Sequence, residues 1–258
     1  MSAEKSRIPN RLSIPKAIIG AFLITWSGRK KFSRSLAVPL FCLVAITVSW
    51  YYGERFLSKE IEWALYFLYL VFWSVFAVIC HRIVLLDSAP ATGWIPRCTW
   101  REAKFLGWIV IVWSVYAVAF FTMMALPALV LANISGGIKF DQVEWLSALK
   151  IPASILAFYL VARLCLIFPA AALEKKANLQ WAWEQSRNNG WRLAVVVGAL
   201  PFVISRLLDF LYRENATVFE CISLTFLGTA IFAVEIAALS ISYRELTRDP
   251  QEEEIGKN

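Results

Sequence analysis

Charge is the scarcest commodity in this chain. Asp, Glu, Lys and Arg make up 17% of 258 residues, against about a quarter in ordinary soluble domains, while 59% are apolar. Histidine occurs once, as His81, so no second imidazole exists for a metal site or a catalytic relay. The five cysteines, Cys42, Cys80, Cys98, Cys165 and Cys221, form no C-x-x-C pair and mostly sit in apolar runs, which favours small packing residues over a disulfide or metal framework. P-loop, G-x-S-x-G, H-E-x-x-H and dinucleotide-binding patterns are all missing. With a mean hydropathy of +0.59, these absences exclude a soluble enzyme, a disordered tail and a secreted disulfide scaffold. The shortage of charge is also uneven, since several uncharged windows approach the ~20 residues that an α-helix needs to cross a bilayer core.

Those windows predict an all-α polytopic transmembrane bundle of six spans: about 35–53, 61–81, 105 to 127–131, 151–173, 193–212 and 221–243. The third window runs uncharged from Phe105 to Ile138, too long for one upright crossing, so its helix is expected to end near Pro127 to Leu131 with Asn133-Ile-Ser-Gly-Gly as the exit. The fifth is the least regular, with Pro201 in its interior and Arg206 and Asp209 one turn apart. The chain thus divides into a basic N-terminal segment (1–34), the bundle (35–243) and an acidic tail (244–258).

A net charge of +7 matters through its distribution. With a cytoplasmic N-terminus, 19 of the 26 Lys and Arg fall on the cytoplasmic side and six on the other, with Arg163 inside a span. That bias predicts both termini in the cytoplasm and gives no support to a nucleic-acid partner. No cleavable signal is expected, because the first apolar stretch, Ala17 to Trp26, is short and lacks a small-residue cleavage pattern. Asn133-Ile-Ser135 and Asn215-Ala-Thr217 fall on the outer face, where glycosylation would report topology. Two cytoplasmic segments read as short interfacial helices. Ile14 to Trp26 precedes the polybasic RKKFSR, which suits anionic lipid headgroups. Asn178 to Asn189 has Asn178 as N-cap, Gly190 as terminator, and Trp181 and Trp183 for the headgroup belt.

Arg163 is the strongest oddity, a guanidinium read near mid-bilayer, and Glu235 on the last span lies at a similar depth, so the two are expected to pair. The pair reads either as a structural ion pair that fixes helix neighbours or as the polar lining of a cavity for a lipid headgroup or ion. Arg206 and Asp209 read as a local interfacial pair, and His81 beside Arg82 as an interfacial hydrogen-bonding residue.

The stretch Arg163 to Leu193 carries an intramembrane Arg163, Pro169-Ala170 at the inner end of the span, Ala182-Trp183 in a short amphipathic helix, and Gly190-Trp191-Arg192 opening the next span. It resembles a pattern in a group of bacterial polytopic membrane proteins that includes the membrane domain of glycerophosphoryl diester phosphodiesterases. His81-Arg-Ile-Val-Leu-Leu, followed by Trp94 and Arg101-Glu-Ala-Lys-Phe-Leu, looks similar to the uncharacterised members. The resemblance implies a six-helix inner-membrane protein with amphipathic elements on its cytoplasmic side, and Arg187-Asn188-Asn189 departs from it where a glycine is expected. It does not imply phosphodiesterase activity, since no catalytic domain or metal-ligand cluster accompanies it. The leading expectation is a non-enzymatic scaffold or accessory subunit in envelope or lipid-related processes, with membrane lipids and other membrane proteins as partners and no cofactor. The alternative is a small transporter or lipid-binding protein that uses Arg163 and Glu235.

Overall fold

The computed structural model describes residues 11–53, 56–86, 99–135, 140–211 and 217–248, and these form helices joined by turns with no strand among them. In chain order the elements are α1 (Ile14–Ser27), α2 (Arg29–Gly53), α3 (Lys59–Leu86), α4 (Trp100–Ser135), α5 (Phe140–Leu164), α6 (Ile167–Ala172), α7 (Leu179–Gln185), α8 (Gly190–Ala194), a π-turn (Val195–Ala199), α9 (Leu200–Leu211) and α10 (Val218–Thr247). Five stretches are long and apolar enough to cross a membrane: α2, α3, Trp100–Val130 of α4, Leu149–Ala172 through α5 and α6, and α10. The protein is a multi-pass membrane protein.

Local chemistry sets the helix ends. At α10, Thr217 and Glu220 form a capping box: the Glu220 amide donates to Thr217 Oγ1 (3.2 Å) and the Thr217 amide to Glu220 Oε2 (2.7 Å). Glu102 takes the Thr99 amide at the start of α4 in the same way (2.7 Å). At α7 the Asn178 side chain accepts from the Trp181 amide (2.7 Å), the cap that the sequence led us to expect. Hydroxyls inside the spans bond back one turn, as Ser74 does to Leu70, Thr225 to Cys221 and Ser242 to Ala238, so they bring no unsatisfied group into the apolar phase.

Several expected boundaries move. The apolar stretch of the third span ends at Val130, within the expected Pro127 to Leu131, but α4 itself runs on to Ser135 with the proline in its interior. Gly190 does not terminate α7. It opens α8, because Asn188 takes the left-handed conformation (φ 65°) that would otherwise call for glycine. Gly190 is needed for another reason, as a Cβ there would lie 2.7 Å from the Tyr159 hydroxyl of α5. The region expected as one fifth span is divided into α8, the π-turn and α9. Pro201 lacks the N–H that would close the preceding α-turn, and the wider π-turn sits directly before it. Most of the acidic tail, Asn215 and Cys98 lie outside the described residues.

Burial is concentrated towards one end of the bundle. In α3 every buried residue lies between Ser74 and Val84, and in α10 all but Cys221 lie between Ala233 and Leu246. Around that end gather α1, α6, α7 and α8. The first of these packs antiparallel on α10: the Ser13 amide donates to Glu245 Oε2 (3.4 Å), and Gly20 lies beside Ile241. Ala17 and Ala21 face inwards with no exposure while Phe22, Leu23 and Trp26 face outwards. A second tie, from the Leu12 amide to the buried Asn189 Oδ1 (2.9 Å), joins α1 to the α7–α8 turn. The same end holds the Arg82 bond to the Ala172 carbonyl (3.1 Å) and the Arg101–Glu174 ion pair (3.2 Å), and we call it the basic end. At the other end large apolar side chains such as Trp63, Phe67, Phe121 and Phe219 stand exposed, the surface expected of helices solvated by lipid.

Candidate functional site

The expected Arg163–Glu235 pair does not form. Arg163 lies in the last turn of α5, and α7 folds back to meet it. Its Nη2 donates to the Trp183 carbonyl (2.6 Å), its Nε to Ser186 Oγ (3.1 Å), and its guanidinium stacks 3.4 Å from the centre of the Trp183 ring. Trp183 O, one of the last carbonyls of α7, also accepts from the Ser186 hydroxyl (3.0 Å), so the guanidinium takes its second lone pair and meets the negative end of the helix dipole. A guanidinium stranded at mid-depth would need a carboxylate. Ending α5 at Leu164 instead brings backbone carbonyls within reach.

Around Arg163 the motif residues come together. Trp191 packs on Tyr159 (4.8 Å between ring centres), Gly190 allows that approach, Arg192 Nη1 donates to Asn189 Oδ1 (3.3 Å), Ala182 is fully buried, and Pro169 lies buried in α6. This is a structural cluster that fastens α5, α7 and α8. Arg206 in α9 lies 5.2 Å from the Phe202 ring, and the side chain of Asp209 lies outside the described set.

Glu235 lies elsewhere, in a cavity of about 320 Å³ bounded by α3, α4, α5, α6, the π-turn with α9, and α10. That volume falls in the range of small-molecule sites, roughly 300–1,000 Å³. Its wall is aromatic: Trp73 packs on Phe232 (3.6 Å between centres), Tyr116 on Phe158 (5.2 Å) and Phe105 on Phe168 (5.4 Å), each pair joining two different helices. Trp113 and Phe158 line the cavity and are also exposed on the bundle surface, which gives it a mouth on the lipid-facing side. The π-turn forms part of the wall, and a Cβ on Gly198 would meet nothing within 4 Å.

Among the described residues that line this space, Glu235 is the one carboxyl and His81 the one imidazole, and there is no lysine or arginine. Glu235 is half-buried and has no hydrogen-bond or ion-pair partner among the described residues. His81, expected as an interfacial hydrogen-bonding residue, is 1% exposed and makes a hydrogen bond, with Nδ1 2.7 Å from Ser240 Oγ. The Ser240 hydroxyl hydrogen goes to the Ile236 carbonyl (2.8 Å), so the network assigns the ring hydrogen to Nδ1 as donor. Nε2 is then a bare acceptor, with no partner among the described residues. Sequence reasoning found both residues but not their shared cavity, since Ser240, Trp73, Phe232 and Gly198 give no signal beyond ordinary apolar helix. Among the described residues no group of three His, Cys, Asp or Glu side chains could hold a metal ion. No family model, curated protein or solved structure matches the chain.

Proposed function

We propose that this protein is a non-enzymatic, six-span membrane protein that binds an amphiphilic small molecule in its intramembrane cavity. One observation carries the reading: a carboxyl group lines an aromatic cavity of ligand size without a basic partner among the described residues. An ionisable side chain at membrane depth is costly unless something meets it, and such groups line substrate paths more often than they fill cores. Arg163 takes no part, so the amphiphile-binding role rests on Glu235 and His81. A scaffold or accessory role would be served by the packed basic end, but it leaves the cavity unexplained.

Chain direction supports the sixth crossing. Both α5 and α10 run towards the basic end, so residues between them must return the chain to the opposite end, and α8, the π-turn and α9 together span 190–211. The gathering of basic side chains at one end supports placing that end, with both chain termini, on the cytoplasmic side of a bacterial inner membrane beside anionic headgroups. In a background without exposed native cysteines, Arg187→Cys and Thr217→Cys should label from opposite sides with an impermeant maleimide. Labelling from one side would remove the sixth crossing. For the cavity, protein purified in native lipid should retain a small amphiphile by mass spectrometry that Gly198→Leu, which fills the open space, no longer retains. Equal retention by both proteins would overturn the reading.

A further inference from the structure

Resting on that reading, we propose that the cavity selects a lipophilic ammonium, an apolar chain or ring carrying a protonated amine, with Glu235 as its counter-charge and His81 Nε2 as a second acceptor. The argument is one of complementarity. Among the described residues the only charged residue type in the wall is a carboxylate, and nothing compensates it. A carboxylate surrounded by apolar groups must take up either a proton or a cation, and the described residues supply no cation. His81 is committed by Ser240 to present an acceptor, so what Glu235 and His81 both lack is a donor. The rest of the wall, including Trp73, Trp113, Phe105, Tyr116 and Phe232, offers ring faces that attract cations and accept apolar chains equally well. An anionic lipid phosphate would meet a like charge, and a neutral chain would leave Glu235 as it is.

The test compares three probes of one chain length, octylammonium, octanol and octanoate, on the full chain in nanodiscs of uncharged lipid, read as the shift in unfolding temperature at rising probe concentration. Octylammonium should raise the unfolding temperature in a saturable way, with octanol and octanoate giving less than half that shift. Glu235→Gln should lose most of the octylammonium shift while keeping that of octanol, and Gly198→Leu should lose every shift. Equal shifts from all three probes, or an octylammonium shift unchanged in Glu235→Gln, would overturn the ammonium assignment while leaving amphiphile binding in place. No saturable shift from any probe would overturn both. Should Glu235→Gln fail to fold, competition decides instead: octylammonium must displace bound octanol from the native protein, and octanoate must not.

Discussion

Replacing Arg163 by Leu tests the arrangement at the basic end directly. The change deletes the Nη2 bond to the Trp183 carbonyl, the Nε bond to Ser186 and the stack on the Trp183 ring. A hydrogen bond from a charged donor contributes about 1.5–3 kcal/mol. Stacking of the cation on a partly exposed indole adds about 0.5–1 kcal/mol. Ser186 keeps its own bond to the Trp183 carbonyl (3.0 Å), so the second bond adds little. The expected loss is therefore about 2–4 kcal/mol, read by reversible unfolding in mixed detergent micelles. Arg163→Lys should recover less than half of it, because an ammonium lacks both the fork and the planar stack. The decisive arm is a double-mutant cycle with Glu235→Gln. Since the two residues share no partner, their effects should add to within about 0.5 kcal/mol. A coupling above about 1 kcal/mol, or native stability in Arg163→Leu, would refute the arrangement.

Three further outcomes follow from particular contacts. Gly190→Ala should destabilise the chain through the 2.7 Å approach of Tyr159, and adding Tyr159→Phe, which removes the offending hydroxyl, should restore part of the loss; a neutral Gly190→Ala would contradict the close packing of α8 on α5. Ser240→Ala leaves the buried His81 Nδ1–H without its acceptor and should cost about 1–3 kcal/mol in the same unfolding assay, with His81→Leu in addition recovering much of it. Thr217→Ala breaks the capping box of α10 and should cost about 1 kcal/mol, while Thr217→Ser should be close to native.

What could be read from the sequence is what local chemistry decides. The uncharged windows located α2, α3, α4, α5 and α10 because desolvating a charge or an open backbone is expensive enough to outweigh any tertiary preference. Asn178 was legible as an N-cap because its acceptor and the Trp181 amide are three residues apart. Pro201 marked an irregular span for a similar reason, although a missing N–H does not distinguish a kink from the π-turn that formed. Long-range partnership was not legible. Depth counting placed Arg163 and Glu235 at one level, yet depth says nothing about azimuth around the bundle, and a guanidinium accepts any strong acceptor within reach.

The two cases differ in how strongly position constrains a partner. Arg163 found one carbonyl and one hydroxyl at the end of a seven-residue helix, partners that are in place only once α7 has folded back on α5. Glu235 found none among the described residues, because no lysine or arginine of theirs lines its cavity and the indole and phenol groups there make no bond to it. Had the carboxylate been structural, a single lysine among the cavity-lining positions would have satisfied it; the described wall instead combines aromatic and aliphatic side chains with the His81 imidazole. A polar group left open by its own chain, in a space of ligand size with a mouth towards lipid, is a site whose missing partner comes from outside the chain.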